Sequence, residues 1–162
     1  MKSHYYFSVE DILGRKYFEH AKVIAGQKGL SRQVKWVHVV EVTSIKNLLN
    51  GNELILSTGL ALQEEESFLS LIHQLVECEA AAICIELDTN ISTIPKTVLK
   101  CADAFNFPII VFEREVPFVS ITQDIHAVII NQQYEMIKKL DSFAQSLNKM
   151  LLSINHCKDI LQ

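Results

Sequence analysis

The sequence predicts an α/β fold: a small, parallel-centred sheet with flanking helices, followed by one long C-terminal helix. Three observations predict it. Between residues 53 and 112, short apolar runs alternate with amphipathic segments in the order strand, helix, strand, helix, strand. The apolar runs are continuous, the pattern of strands buried on both faces between crossover helices. Beyond Pro117 there is no Gly or Pro, and apolar residues recur in steps of three and four.

The elements follow in order. Ser8 ahead of Val9-Glu10-Asp11-Ile12-Leu13 reads as an N-cap with acids in the first turn, and Gly14 ends that short helix. Ala21–Gly26 reads as a strand closing at a glycine, and residues 27–32 are turn-rich. Val34–Val40 has strand composition, with Val34, Trp36, His38 and Val40 on one face, and is expected to join the sheet. Ser44–Leu49 reads as one or two helical turns. Glu53–Ser57 is a buried strand. The helix over Glu64–Cys78 carries Phe68, Leu71, Ile72, Leu75 and Val76 on one side. Ala80–Glu86 is the next strand. Pro95 opens a helix reaching Phe105, with Val98, Leu99, Ala102 and Phe105 towards the core. Phe107–Phe112 is the last strand. The intervals from Leu54 to Ile83 and from Ile83 to Ile110 are about 30 and about 27 residues, the length of βαβ units, so these three strands should be neighbours with right-handed crossovers.

Residues 7–117 thus form one α/β domain and residues 118–162 a separate helical segment. Apolar residues in the latter fall at Ile125, Ile129, Met136, Leu140, Phe143, Leu147, Met150 and Ile154. With polar Gln132 included, the steps are 4, 3, 4, 4, 3, 4, 3 and 4, heptad-like with one irregular step. A helix this long outruns a domain of this size and needs another partner. The seam of Ile129, Met136, Leu140, Phe143, Leu147 and Ile154 therefore predicts a homodimer.

Composition narrows the chemistry. Charged residues make up 21% of the chain and the net charge is −4, with no basic cluster longer than Lys138-Lys139, so strong DNA binding by this chain itself is not expected. No apolar stretch reaches the ~20 residues of a membrane span, and residues 1–7 lack a signal-peptide core. The four cysteines, Cys78, Cys84, Cys101 and Cys157, have neither CxxC spacing nor a disulfide framework, which fits a cytoplasmic protein with reduced thiols. Cys84 reads as a buried, inert thiol. His4, His20, His38, His73, His126 and His156 include no HxH or HxxxH pair, so no metal is expected. His73 reads as a surface or boundary residue, and Trp36 as core packing rather than a stacking platform. GxSxG and the P-loop pattern are absent, and nothing points to catalysis or to a cofactor.

Polar groups do gather where the parallel strands end, the edge at which open α/β sheets bind ligands. Glu41, Ser57, Thr58, Gly59, Glu86, Glu113 and Arg114 all fall there. Arg114 suits a carboxylate or ureido oxygen, and Glu41 or Glu86 would accept from ligand N–H groups, which describes a small, nitrogen-rich metabolite. The competing reading makes these residues ordinary loop polars, with Arg114 paired to Glu113, Glu115 or another acid.

Several of these segments resemble the N-terminal domain of PucR-type purine catabolism regulators: Phe7–Leu13, Gly29–Glu41, Gly51–Leu62, Phe107–Ile110 and Glu113–Thr122. The resemblance covers roughly residues 7–128. It implies a bacterial transcription regulator whose N-terminal domain senses a metabolite and whose DNA-binding domain lies C-terminal, beyond this chain. A fainter likeness to DRTGG-type regulatory domains and to the N-terminal domain of Mur ligases supports a small α/β fold and leaves the ligand open. The leading expectation is a ligand-sensing and dimerising module that is not an enzyme. The alternatives are an interaction module without a small ligand, or a regulatory domain of an acyl- or phosphoryl-transfer enzyme.

Overall fold

A computed structural model describes residues 6–161. Residues 1–5, with His4 and most of the stretch read for a signal peptide, lie outside the described residues, as does Gln162. The chain divides into two compact units between His126 and Ala127.

The first unit opens with a capping box. Asp11 Oδ2 accepts from the Ser8 N–H at 2.8 Å, while Ser8 Oγ accepts from the Asp11 N–H at 3.2 Å, starting helix α1 (Val9–Leu13). Strand β1 (Lys22–Ala25) follows, then β2 (Trp36–Val39), β3 (Glu53–Ser57), helix α2 (Glu65–Glu77), β4 (Ala82–Glu86), helix α3 (Lys96–Ala104) and β5 (Ile109–Phe112). The sheet order is β1-β5-β4-β3-β2. β2 to β5 run parallel, with Leu54 opposite Ala82 and Ile83 opposite Ile109, so the three central strands are neighbours as the spacing predicts. β1 adds an antiparallel edge on β5, with a register shift between Val23 and Ala25.

The sheet is buried on both faces because its central strands are apolar at every position between their ends. Ile55, Ile83, Ile85, Ile109 and Val111 share one core with Phe68, Leu71, Ile72 and Leu75 of α2 and Val98 and Ala102 of α3. Leu54, Leu56, Cys84, Ile110 and Phe112, one residue out of phase, are equally buried on the other face, where Phe18 meets Phe112 with ring centroids 5.2 Å apart. Gly26 closes β1 at φ +67°, and a Cβ there would sit 2.0 Å from the Phe107 carbonyl oxygen, so only glycine fits this turn.

Four expectations change. Ser44–Leu49 is a single turn at residues 46–48, because the Leu48 N–H bonds the Ile45 carbonyl and no further helical bond extends it. Phe105 lies just beyond α3, 45% exposed, with its ring edge on His73. On β2 the buried residues are Val34, Val37 and Val40, since only Trp36–Val39 is strand and the flanking valines escape the two-residue alternation. Trp36 is 41% exposed, because the alternation that buries Val37 turns Trp36 to the opposite face of this edge strand. His73 is exposed and Cys84 fully buried, as read from the sequence.

Helix α4 spans Phe118–Leu161. Its first turns belong to the first unit, where Ile121 and Ile125 are fully buried. The second unit is the rest of the helix, and Met136, Leu140, Phe143, Leu147 and Ile154 are exposed along it, whereas Ile129 is buried. No helix among the described residues is long and apolar enough to cross a membrane.

Candidate functional site

The parallel strands deliver their last residues to one edge, and the loops there bond to one another. Glu41, just past β2, reaches the end of β3: its Oε1 accepts from the Thr58 N–H at 2.6 Å and its Oε2 from the Ser57 hydroxyl at 3.3 Å. Ser57 Oγ in turn accepts from the Gly59 N–H at 3.0 Å. Gly59 has φ +82°, and a Cβ there would stand 2.8 Å from Ile91, so the loop after β4 closes tightly over the glycine. Asn90 from that loop donates to both the carbonyl and the hydroxyl of Thr58 at 3.0 Å.

Glu86 forms a second centre at the end of β4. It is buried, and both carboxylate oxygens are engaged: Oε1 accepts from Thr89 Oγ1 at 2.5 Å and Oε2 from the Val116 N–H at 3.0 Å. A buried carboxylate is costly unless its lone pairs are filled, so these bonds hold the loop and the segment before α4 in place. The loop over residues 88–91 joins the two centres, through Thr89 to Glu86 and through Asn90 to Thr58.

Of the residues picked out by sequence, Glu41, Ser57, Thr58 and Gly59 come together, and Glu86 is tied to them through the loop. Glu113 and Arg114 do not join this network. Glu113 is exposed and pairs with Lys22 of β1 at 2.7 Å. Arg114 is also exposed, and among the described residues no hydrogen bond or ion pair engages it, so it is not the partner of Glu113. Thr89, Asn90 and Val116 were not anticipated. The polar turn Asp88-Thr89-Asn90 after an apolar strand is a signal that could have found the first two, and a backbone N–H leaves no signal at all.

β2, β3, β4 and β5 are spatial neighbours in chain order, so strand order does not reverse among them and no crevice opens between diverging crossovers. Two open polar grooves lie elsewhere. One is lined by Thr43, Ser44, Glu66, Ser67, Ser70 and Gln74, the other by residues 24–28 with Asp103 and Asn106. Neither includes a strand-end residue named above.

The start of α4 is fastened twice more. Arg15 forks Asp124 with bonds of 2.9 and 2.6 Å, which raises its own pKa and holds the Asp124 carboxyl below its ordinary value. His126 stacks on Trp36 with ring centroids 3.8 Å apart, and its Nε2 accepts from the Val37 N–H at 3.1 Å. Burial lowers the His126 pKa, and nearby His38 lowers it further. Only the neutral ring can accept on Nε2. Burial alone pushes the Cys84 thiol far up, which agrees with an inert cysteine.

Comparison with known proteins places these features in context. The model of the purine catabolism regulatory protein-like family matches residues 11–129. The purine catabolism regulatory protein of Bacillus subtilis (strain 168) is 33% identical over 104 residues, covering 64% of this chain and 20% of that protein. The transcriptional activator PmfR of Paenarthrobacter nicotinovorans is 26% identical over 128 residues, covering 76% of this chain and 27% of that one. The chain thus spans between a fifth and about a quarter of the length of these curated relatives. A crystal structure of the CBS and DRTGG domains from the regulatory region of Clostridium perfringens pyrophosphatase, complexed with diadenosine tetraphosphate, aligns with a TM-score of 0.43 and 14% identity over 66% of this chain and 40% of that one.

Proposed function

The chain belongs to the purine catabolism regulatory protein-like family, and from that premise we propose that it is the ligand-sensing and self-associating module of a bacterial transcription regulator of purine or other nitrogen catabolism. The printed names of its relatives, a purine catabolism regulatory protein and a transcriptional activator, support this reading. So does the absence of any sequence pattern for catalysis, and the module is assigned no enzymatic step, cofactor or metal. With a net charge of −4 the chain offers DNA little attraction, so DNA contact is assigned to sequence outside it. Regulators of this kind act in the cytoplasm, and the module is placed there.

The observation that carries the sensing role is the double engagement of Glu86. One oxygen holds the loop that covers the strand ends, and the other holds the backbone two residues before α4. A small, polar, nitrogen-rich metabolite bound among Glu41, Ser57, Thr58, Gly59, Glu86, Glu113 and Arg114 would disturb or reinforce that loop and thereby bias the start of the helix. The coupling is as large as the difference in affinity for the two helix arrangements. Arg114, exposed and without a partner among the described residues, supplies the donors for a carboxylate or ureido oxygen. Self-association runs through the exposed seam of α4.

A thermal-shift screen with purine-breakdown products and amino acids tests the sensing role. One chemical class should raise the melting temperature of the parent, and Arg114→Ala and Thr58→Val should lose most of that shift. A compound that stabilises both variants as well as the parent would move the site elsewhere.

The second reading, an interaction module without a small ligand, is favoured by one observation: Glu41 is already engaged by Ser57 and Thr58, and Glu86 by Thr89 and Val116. Silence across every compound class would favour it.

A further inference from the structure

Residues 127–161 carry an apolar stripe that one kind of pairing covers better than the other. Taking Gln133 in place of Gln132 removes the irregular step in the seam: Gln133, Leu140, Leu147, Ile154 and Leu161 fall at a, and Ile129, Met136, Phe143, Met150 and Cys157 at d. The e positions are apolar from Ile130 to Leu151, and Lys158 ends the row. Ile130, Ile137 and Leu151 are 54, 61 and 58% exposed, with Ala144 between them. The g positions are Gln132, Lys139, Ser146 and Ser153, polar until Ile160.

Parallel helices set each e against the partner's g, which would leave Ile137 and Leu151 beside glutamine, lysine and serine. Antiparallel helices set e against e and g against g, which brings Ile137 against the partner's Leu151 and leaves the polar row in water. Resting on the self-association proposed above, we infer that two copies of this chain pair antiparallel through residues 130–161. Gln133 then lies opposite the partner's Cys157, Leu140 opposite its Met150, Phe143 opposite its Leu147, and Ala144 beside its own counterpart at the two-fold axis. Ile129 is buried within the single chain, so the pairing begins beyond it. The exposed a, d and e side chains offer on the order of 1,000 Å² per copy, against the ~800 Å² per partner that stable interfaces bury. Ala144 at the centre lets the backbones approach, and the large side chains flank it on both sides. A second copy is the occupant that this symmetry fits: from Ile137 to Leu151 the stripe is self-complementary about residue 144, as a two-fold contact requires.

The test combines light scattering with mapping of disulfides formed under copper-phenanthroline in the full chain. Gln133→Cys should remain a dimer and become covalently linked through the introduced thiol to the partner's Cys157, while the unsubstituted protein should form no link between two copies of Cys157. Ala144→Cys, at an exposed helix position, should link to its own counterpart and serves as an independent probe. A dimer whose Cys157 residues link to each other, a dimer in which neither variant links as described, or a tetramer overturns the antiparallel pairing and leaves self-association standing. A monomeric parent overturns both.

Discussion

Glu86 Oε2 lies 3.0 Å from the Val116 nitrogen, so the last side chain of β4 holds the backbone immediately ahead of Pro117 and helix α4. The other oxygen of the same carboxylate holds Thr89, and the Glu86 carboxylate between these two donors is itself only 4% exposed.

Replacing this carboxylate isolates that connection. Glu86→Ala leaves two donors without their acceptor and should cost about 1–3 kcal/mol in denaturant unfolding. Glu86→Gln keeps one acceptor oxygen and should cost less. Equal stability of Glu86→Ala and the parent would mean that the strand end and α4 are not mechanically joined here.

The turn after β1 is the least tolerant glycine. Gly26→Ala meets both a positive φ and the Phe107 carbonyl, and should destabilise by more than about 1 kcal/mol. Chemical denaturation checks it, and a neutral result would show that this turn can relax.

Acidification should loosen the start of α4. His126 is held below its ordinary value of 6.5 by burial. The unfolded chain therefore takes up a proton before the folded one does, and stability rises with pH across that window. The contribution is complete above about pH 6.5 and is lost as pH falls through the lower folded value. Melting temperature measured from pH 8 to pH 5.5 should fall in the parent and fall less in His126→Gln, whose amide can still accept from Val37. Parallel curves would remove His126 as the cause. The Asp124–Arg15 pair acts further down: its stabilisation is present above the ordinary aspartate value of 3.8 and is lost as pH drops through the depressed folded value.

Self-association should depend on the exposed seam. Phe143→Asp combined with Leu147→Asp places charges at adjacent d and a positions and should convert a dimer to a monomer by light scattering, with the α/β unit still folded by circular dichroism. An unchanged mass would detach the seam from assembly.

The sheet was legible because burial on both faces forces nearly every position of β3, β4 and β5 to be apolar, and such runs separated by amphipathic helices admit few topologies. The edge strands were less legible. β1 and β2 are short and half-covered, so their composition does not encode direction or facing, and Trp36 was assigned to the core when its ring lies on His126, 90 residues away in the chain. The strand-end site was legible as a set of residue types but not as a set of bonds. Glu41 and Thr58 meet through a backbone N–H, and so do Glu86 and Val116, and backbone donors carry no identity in the sequence. The same holds for the single turn at residues 46–48, where local propensity favours a helix but the Ile45 N–H is taken by Gln74 of α2 instead.

The central claim is that a ligand at the carboxyl edge of the sheet is read by the start of α4. Amide hydrogen exchange tests it most directly, comparing the chain alone with the chain saturated by the compound that stabilises it most among purine-breakdown products and amino acids. The account predicts slower exchange both at residues 57–60 and at residues 113–121, with the second change diminished in Glu86→Gln. Protection confined to other parts of the sheet, with residues 113–121 exchanging as before, would contradict it.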